Sequence, residues 1–313
     1  MLDEKELSKL GDILTPYIVK RRKELAKLES KFVHYTSSEN AKNILEGECL
    51  WMRNTTCMND FSEVEYGYNV LQRYFSFKWP ELKRKIVFNP QVKEIIKSAI
   101  DLFDQHWGNS RSSIYLSSLS LHKVDEEGVG RLSMWRAYGN NSGASAALIL
   151  NNPTPTEGLN VFLCPARYCS ESIVYSELDS MLQNLNDEAK FISELEMSFI
   201  RSQVVLALIL LTVSLKHKGF REEEEWRVVY LPELIPSIIK IDNSVEVING
   251  LPQVVYKLPL KGNMSLEKIV HQVLIGPSKY PVVQVQAFRE LLKKLGISEP
   301  DTRLGLSNIP LRT

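Results

Sequence analysis

The amino-acid sequence predicts an α+β fold built on a mixed or antiparallel sheet with helical insertions. Short segments rich in β-branched and aromatic residues are interspersed with helical periodicities, without the regular alternation of a doubly wound parallel sheet. Hydrophobic residues make up 44% of the 313 residues and charged residues 24%, as is typical of globular proteins. We therefore expect the chain to fold on its own around one core, with helices added to it.

The first part of the chain predicts strands set among helices. Residues 3–29 carry a helical stripe that Pro16 bends or splits. Residues 32–36 predict a strand, and the loop at 37–40 caps a short helix that ends at Gly47. The next predicted elements are a strand at 50–52, helices at 62–77 and 91–105, a strand at 113–120 and a short helix at 131–138.

The second part predicts most of the sheet. Helices fill residues 172–216, and a last helix over 281–295 is stopped by Gly296. The predicted strands lie at 144–150, 160–168, 226–231, 237–241, 253–258 and 269–275. We predict an N-terminal helical extension over 1–30, a central domain over 31–280 with the insertion at 172–216, and a C-terminal helix and tail over 281–313.

Charge, cysteine content and hydropathy exclude several classes of protein. Lys and Arg together number 38, as do Asp and Glu, so any contact with nucleic acid must be local. The charged N-terminus does not resemble a signal peptide, and the four cysteines show no paired CxxC spacing, which indicates a reduced, cytoplasmic protein. The apolar run at 204–213 is too short to span a bilayer and predicts a buried helix, so we expect no membrane association.

Familiar catalytic motifs are missing from the sequence. It contains no phosphate-binding GxxxxGK[ST] loop, no GxSxG elbow and no HExxH zinc motif. Cys164 and Cys169 have no histidine near them in the sequence, so we predict buried thiols and no metal site.

His34 lies in the first predicted strand and begins a candidate site. The two-residue period of a strand places Phe32, His34 and Thr36 on one face, and Val33 and Tyr35 on the other. Asn40 follows six residues after His34. A lone strand histidine is more often structural than functional.

Four consecutive glutamates, Glu222 to Glu225, precede the strand at 226–231. If the strand begins early, Glu223, Glu225 and Arg227 share one face, while Trp226 lies in the core. A slip of one residue would put Glu224 in place of Glu225. A solvated acidic turn is the alternative interpretation.

The His34-x-Thr36 pattern followed by Asn40 resembles the start of the ADP-ribosyltransferase fold, particularly the DarT-type enzymes that modify DNA. Residues 32–278 also resemble a widespread bacterial family of formerly unknown function. The second resemblance depends on His34-Tyr35-Thr36, Met58-Asn59-Asp60 with Glu63, Ser117 to Ser120, Met134-Trp135-Arg136-Ala137-Tyr138, Phe220 with Glu223 to Arg227, and Ile275-Gly276-Pro277.

The resemblance implies an ADP-ribosyltransferase-like catalytic domain that uses NAD as co-substrate. Glu225 would stabilise the oxocarbenium-like state from an exposed position in the cleft, and Glu223 would orient or deprotonate the nucleophile. Arg53 would neutralise the NAD phosphates or help to activate the acceptor. The residues expected to bind NAD are His34, Tyr35, Thr36, Asn40, Ser117 and Tyr138. An Asn-Asp turn and helix cap explain Asn59, Asp60 and Glu63 without a substrate.

A cytoplasmic toxin or anti-phage effector is the implied function. Its acceptor would be RNA or single-stranded DNA, and an antitoxin or other inhibitory partner would restrain it. Basic stretches at 20–23 and 83–85 would contact phosphates or serve only as solvated helix faces. The alternatives are an NAD glycohydrolase, a protein-directed transferase, and a non-catalytic module that binds a nucleotide or a partner.

Overall fold

A computed structural model of the chain describes residues 3–28, 30–57, 62–138, 144–151, 158–248, 250–260 and 265–310. Its helices are α1 (Glu4–Leu14), α2 (Pro16–Lys27), α3 (Ser38–Glu46), α4 (Ser62–Arg73), α5 (Trp79–Lys85), α6 (Pro90–Ser110), α7 (Leu132–Tyr138), α8 (Glu171–Asp187), α9 (Ala189–Ser193), α10 (Met197–Ser214), α11 (Leu266–Ile269) and α12 (Pro281–Lys294). Its strands are β1 (Lys31–Ser37), β2 (Cys49–Asn54), β3 (Tyr115–His122), β4 (Ser145–Leu150), β5 (Val161–Pro165), β6 (Glu225–Tyr230), β7 (Asp242–Ile248), β8 (Leu251–Pro259), β9 (Val270–Ile275) and β10 (Leu304–Leu306).

The chain forms two compact units. The helical unit comprises Met1–Lys27, Thr55–Ile114 and Cys164–Arg221, and the sheet unit comprises Leu28–Asn54, Tyr115–Leu163 and Glu222–Thr313. The units do not follow the predicted division of the chain, because the N-terminal helices group with two later helical segments and α12 groups with the sheet. Whether the predicted segments act as functional domains stays a prediction.

Helix α10 forms the apolar centre of the helical unit. It is long and apolar enough to cross a membrane by length and composition alone, yet 61% of its residues are buried inside the protein. A mostly buried helix of this kind is typical of a soluble protein's core. The buried helix predicted from the apolar run is therefore confirmed, while the cytoplasmic location stays a prediction.

The sheet unit contains a mostly antiparallel sheet, which confirms the predicted α+β class. The strand order is β10-β9-β4-β1-β3-β2-β8-β7, and β6 also pairs with β3. Antiparallel ladders join β1 to β4, β3 to β6, β2 to β8 and β7 to β8, whereas β10 runs parallel to β9. The ADP-ribosyltransferase-like topology stays a prediction.

The sheet forks where β1 and β2 meet β3. Strand β6 pairs with β3 along one edge, from Tyr115 to Ser120. The other edge of β3 is shared, because β1 pairs only as far as Val33 with Ser120, and β2 joins only at Arg53 with Leu116. Among the described strand pairs, none occupies this edge between these two points. The later part of β1 and the earlier part of β2 are therefore the two arms of a fork, with Ser118 at its base.

Three strands differ between the sequence predictions and the structure. The predicted strand at 237–241 is wrong, because the backbone amides of Ile238 and Ile239 both bond to the carbonyl of Gly158 instead of to a ladder. Strand β7 lies directly after it and is absent from the prediction, because Asp, Asn and Glu, which are depleted in strands, supply three of its seven residues. Strand β10 has three residues, too few for a period to be recognised.

Candidate active site

His34 fills the fork in the sheet. Its Nδ1 lies 2.9 Å from the backbone carbonyl oxygen of Ser118, and only the protonated Nδ1 can donate to a carbonyl. The side chain thus spans the gap that opens where the ladder between β1 and β3 ends at Val33. His34 therefore lies at the point where β1 separates from β3.

The fork favours the neutral form of the His34 imidazole. Burial lowers the pKa of His34, and this effect outweighs the hydrogen bond to Ser118, which acts in the opposite direction. A neutral imidazole that donates through Nδ1 has Nε2 as an acceptor. His34 therefore offers an acceptor that suits a sugar hydroxyl.

Thr36, Asn40 and Ser117 surround the same face of the fork. The Asn40 side-chain amide donates to the Thr36 hydroxyl over 3.3 Å, and the Asn40 backbone amide bonds to the Ser37 hydroxyl that caps α3. The register of β1 and β3 places Ser117 on the face of His34 and Thr36. The Ser117 hydroxyl is buried and has no hydrogen-bond partner in the described residues. The structure thus brings together four of the six predicted NAD-binding residues.

Tyr35 lies on the opposite face and packs in the core. Its ring meets that of Trp135 edge to face, with centroids 4.9 Å apart, and its hydroxyl accepts a hydrogen bond from the Arg131 backbone amide. Burial raises the pKa of Tyr35 to about 12. These contacts correct the expectation that Tyr35 binds NAD beside His34, because Tyr35 packs with Trp135 and anchors helix α7 to the sheet.

Glu225 is the first residue of β6 and lies beside the base of the fork. The Ser118 hydroxyl donates to Glu225 Oε1 over 2.5 Å. Arg227 holds both carboxylate oxygens, with Nε 3.0 Å from Oε1 and Nη2 3.1 Å from Oε2. Both charged side chains are 3% exposed. The predicted exposed carboxylate is therefore wrong, because the alternation that aligns Arg227 with Glu225 also lets the guanidinium cover it.

Ser118 connects the two faces of the candidate site. His34 bonds to its backbone carbonyl, and Glu225 bonds to its hydroxyl from the opposite face of the sheet. Ser118 and Arg227 are not among the predicted site residues. The available signal was the shared strand face of Glu225 and Arg227, whereas Ser118 depends on the register between β3 and β6.

Glu223 and Glu224 precede the strand in different environments. Glu223 is buried, and the Tyr138 hydroxyl donates to its Oε2 over 3.4 Å. Glu224 has a left-handed backbone with φ of 44° and points its carboxylate towards Lys123 and Arg131. This turn places Glu225, and not Glu224, at the start of the ladder. The predicted frame is thereby confirmed for Glu225, Trp226 and Arg227, whereas Glu223 lies before the strand.

Arg53 lies on the other arm of the fork. Its Nε donates to Gln253 Oε1 over 2.9 Å, and the ladder places it on the Glu225 face of the sheet. Asn59 and Asp60 lie outside the described residues. Glu63 belongs to the helical unit, where it pairs with Lys216 at 3.2 Å, in line with its structural interpretation. The described residues contain no group of three His, Cys, Asp or Glu side chains arranged to hold a metal ion.

One comparison with known proteins gives a match. A family model described as a protein of unknown function (DUF2971) matches residues 134–228, which is less than half of the chain. The match begins in α7 and ends in β6, so it contains Tyr138 and the Glu223–Arg227 segment. No curated protein and no solved structure matches the chain.

Proposed function

We propose that this protein is an NAD-dependent ADP-ribosyltransferase whose site lies at the fork in the sheet. The observation that carries the proposal is the connection through Ser118 of a neutral histidine acceptor to a buried carboxylate, His34 on one side and Glu225 on the other. The unpartnered hydroxyl of Ser117 supports it, because a buried orphan donor beside His34 suits a polar ligand.

The reaction breaks the bond between nicotinamide N1 and ribose C1′. The bonding electron pair leaves with nicotinamide, positive charge develops on the ribose, and the nucleophile attacks C1′ and loses its proton. Glu225 would stabilise this charge from a site where few waters weaken the interaction. The Ser118 hydroxyl occupies the position on the carboxylate that a ribose hydroxyl would take.

Residues on both sides of the fork would hold NAD. His34 Nε2 accepts from the adenosine-side ribose, while the Thr36 hydroxyl, oriented by Asn40, holds the nicotinamide amide. From the Glu225 face, on the other arm of the fork, Arg53 supplies charge for the phosphates. Glu223, held by Tyr138, serves the incoming nucleophile.

The acceptor we propose is RNA or single-stranded DNA, with an antitoxin or other inhibitory protein as a partner in the cytoplasm. This part depends on the resemblance to DarT-type enzymes in the His34-x-Thr36 and Asn40 pattern. Such an activity damages the host's own nucleic acid, which is the reason to expect a restraint.

The close Glu225–Arg227 pair favours a second candidate. A carboxylate already neutralised by a buried guanidinium is less available to a developing cation. A non-catalytic module that binds a nucleotide at the fork would need the polar His34 face but not a reactive Glu225.

Label transfer tests both candidates. The purified protein is incubated with NAD labelled on its adenylate half, and RNA, single-stranded DNA and cell-extract protein are offered in parallel. We expect label on a nucleic acid, absent with Glu225→Gln. Nicotinamide release without label transfer would indicate a glycohydrolase, and NAD binding without either product would favour the module.

A further inference from the structure

The turn that leads into β6 has an unfavourable backbone conformation. Glu224 adopts a φ of 44°, in the left-handed region that non-glycine residues seldom occupy. Its backbone carbonyl accepts a hydrogen bond from the Leu121 amide over 3.2 Å, which extends the ladder between β3 and β6 by one step. Such a conformation persists only where its surroundings hold it.

Arg131 makes four side-chain contacts around this turn. Its Nε donates to Glu126 Oε1 over 2.6 Å, and its Nη2 lies 3.2 Å from the Leu121 carbonyl oxygen and 3.3 Å from Glu224 Oε2. Its Nη1 donates to the Glu222 carbonyl oxygen. The guanidinium thus reaches both sides of Glu223, and its side chain is 11% exposed.

The backbone of Arg131 is itself fixed. Its amide donates to the Tyr35 hydroxyl over 2.9 Å, and its carbonyl accepts from the amides of Met134 and Trp135 at the start of α7. The same helix ends at Tyr138, whose hydroxyl contacts Glu223. One short helix anchored in the core therefore holds the acidic turn from two points.

We propose that Arg131 is a positioning residue that fixes the Glu222–Glu224 turn and so sets the placement of Glu223 and Glu225. Lysine cannot replace it, because one ammonium cannot reach two backbone carbonyls and two carboxylates in the fixed directions of a planar guanidinium. The consequence for activity depends on the proposed function, whereas the consequence for the turn does not.

Arg131→Lys tests the proposal, with Lys123→Met as the matched control. Lys123 contacts the same Glu224 carboxylate at 2.9 Å from a half-exposed position, so its loss should change little. In Arg131→Lys we expect hydrogen exchange of the Leu121 amide and of the 222–226 peptide to become faster. We also expect kcat for nicotinamide release to fall by about 10-fold to 100-fold, with KM for NAD nearly unchanged.

A second substitution separates positioning from general loss of structure. Glycine adopts a φ near 44° without strain, so Glu224→Gly in the Arg131→Lys background should restore much of kcat. If Arg131→Lys does not fold, Glu126→Gln keeps the guanidinium and weakens its anchor, and we expect a smaller change of the same kind.

The outcomes distinguish this proposal from the proposed function. Unchanged exchange of the Leu121 amide in both Arg131→Lys and Glu126→Gln would overturn it, as would faster exchange with an unchanged kcat. If the wild-type protein releases no nicotinamide, the proposed function has failed, and exchange of the Leu121 amide in Arg131→Lys and Glu126→Gln still decides whether Arg131 holds the turn.

Discussion

At the scale of single residues, the candidate site depends on where charge is buried. Glu225 and Arg227 form a nearly solvent-free ion pair beside the base of the fork, and the Ser118 hydroxyl donates to it. A sequence period identifies which residues share a face, but it does not show that a neighbouring arginine covers the carboxylate. Because Glu225 is buried, its removal should affect the stability of the fold and not only the activity.

Glu225→Ala should destabilise the fold as well as remove activity. The alanine leaves Arg227 as a buried cation without this carboxylate, at a cost of about 3–5 kcal/mol of unfolding free energy. Urea unfolding of this variant and of Glu225→Ala/Arg227→Met measures the effect, and we expect the double variant to recover part of the loss. Equal stability of Glu225→Ala and the wild type would contradict the buried pair.

His34 should make stability depend on pH. The pKa of the folded residue lies below its ordinary value of 6.5, so the unfolded chain binds the proton first as the pH falls. This contribution to stability is fully present above pH 6.5 and is lost as the pH drops towards the folded pKa. Between about pH 8 and about pH 5.5, the free energy of unfolding should fall less for His34→Gln than for the wild type. The pKa of His271 is also lowered, so His271→Gln is measured in the same way to separate the contribution of His271 from that of His34.

At the scale of elements, strand β6 was the most predictable part of the site. Alternation identified Trp226 as a core residue, and the structure buries it edge to face against Phe32, with ring centroids 5.9 Å apart. The fork was not predictable, because it depends on where the ladders to β3 stop, and a strand period carries no such information. Tyr35 shows the same limit, since its face followed from alternation but the core around Trp135 did not.

Trp226→Ala should cost about 3–5 kcal/mol, as expected for truncation of a buried aromatic side chain. Phe77→Ala is the control, because Phe77 is 68% exposed and should change stability by less than about 0.5 kcal/mol. Chemical denaturation compares the two. A thermally and chemically silent Trp226→Ala would show that the assigned frame of β6 is wrong.

At the scale of the whole molecule, the helical unit carries its own packing constraints. Gly67 of α4 lies against the backbone of α10, where an added Cβ would overlap the carbonyl oxygen of Thr212. The sequence does not predict this close contact, because it does not show which helix packs against Gly67. The division of the chain into two units was likewise hidden, because each unit is assembled from three separate segments.

Gly67→Ala should therefore destabilise the protein by about 1–3 kcal/mol through overpacking. Gly108→Ala in α6 is the matched control, since beyond its own chain neighbours and helix backbone no atom of the described residues lies within 4 Å of its added Cβ, and alanine favours the helix by about 1 kcal/mol. Thermal melts of the two variants should move in opposite directions. A rise in Tm for Gly67→Ala would contradict the close contact between α4 and α10.

The most direct test of the account is nicotinamide release from NAD by the wild type, Glu225→Gln and Glu224→Gln. The amide keeps the shape of each side chain, and Glu224 differs from Glu225 in lying on the turn before the ladder. We expect release by the wild type and by Glu224→Gln, and its loss in a folded Glu225→Gln. Undiminished release by Glu225→Gln would contradict the central claim that the carboxylate beside the fork carries the chemistry.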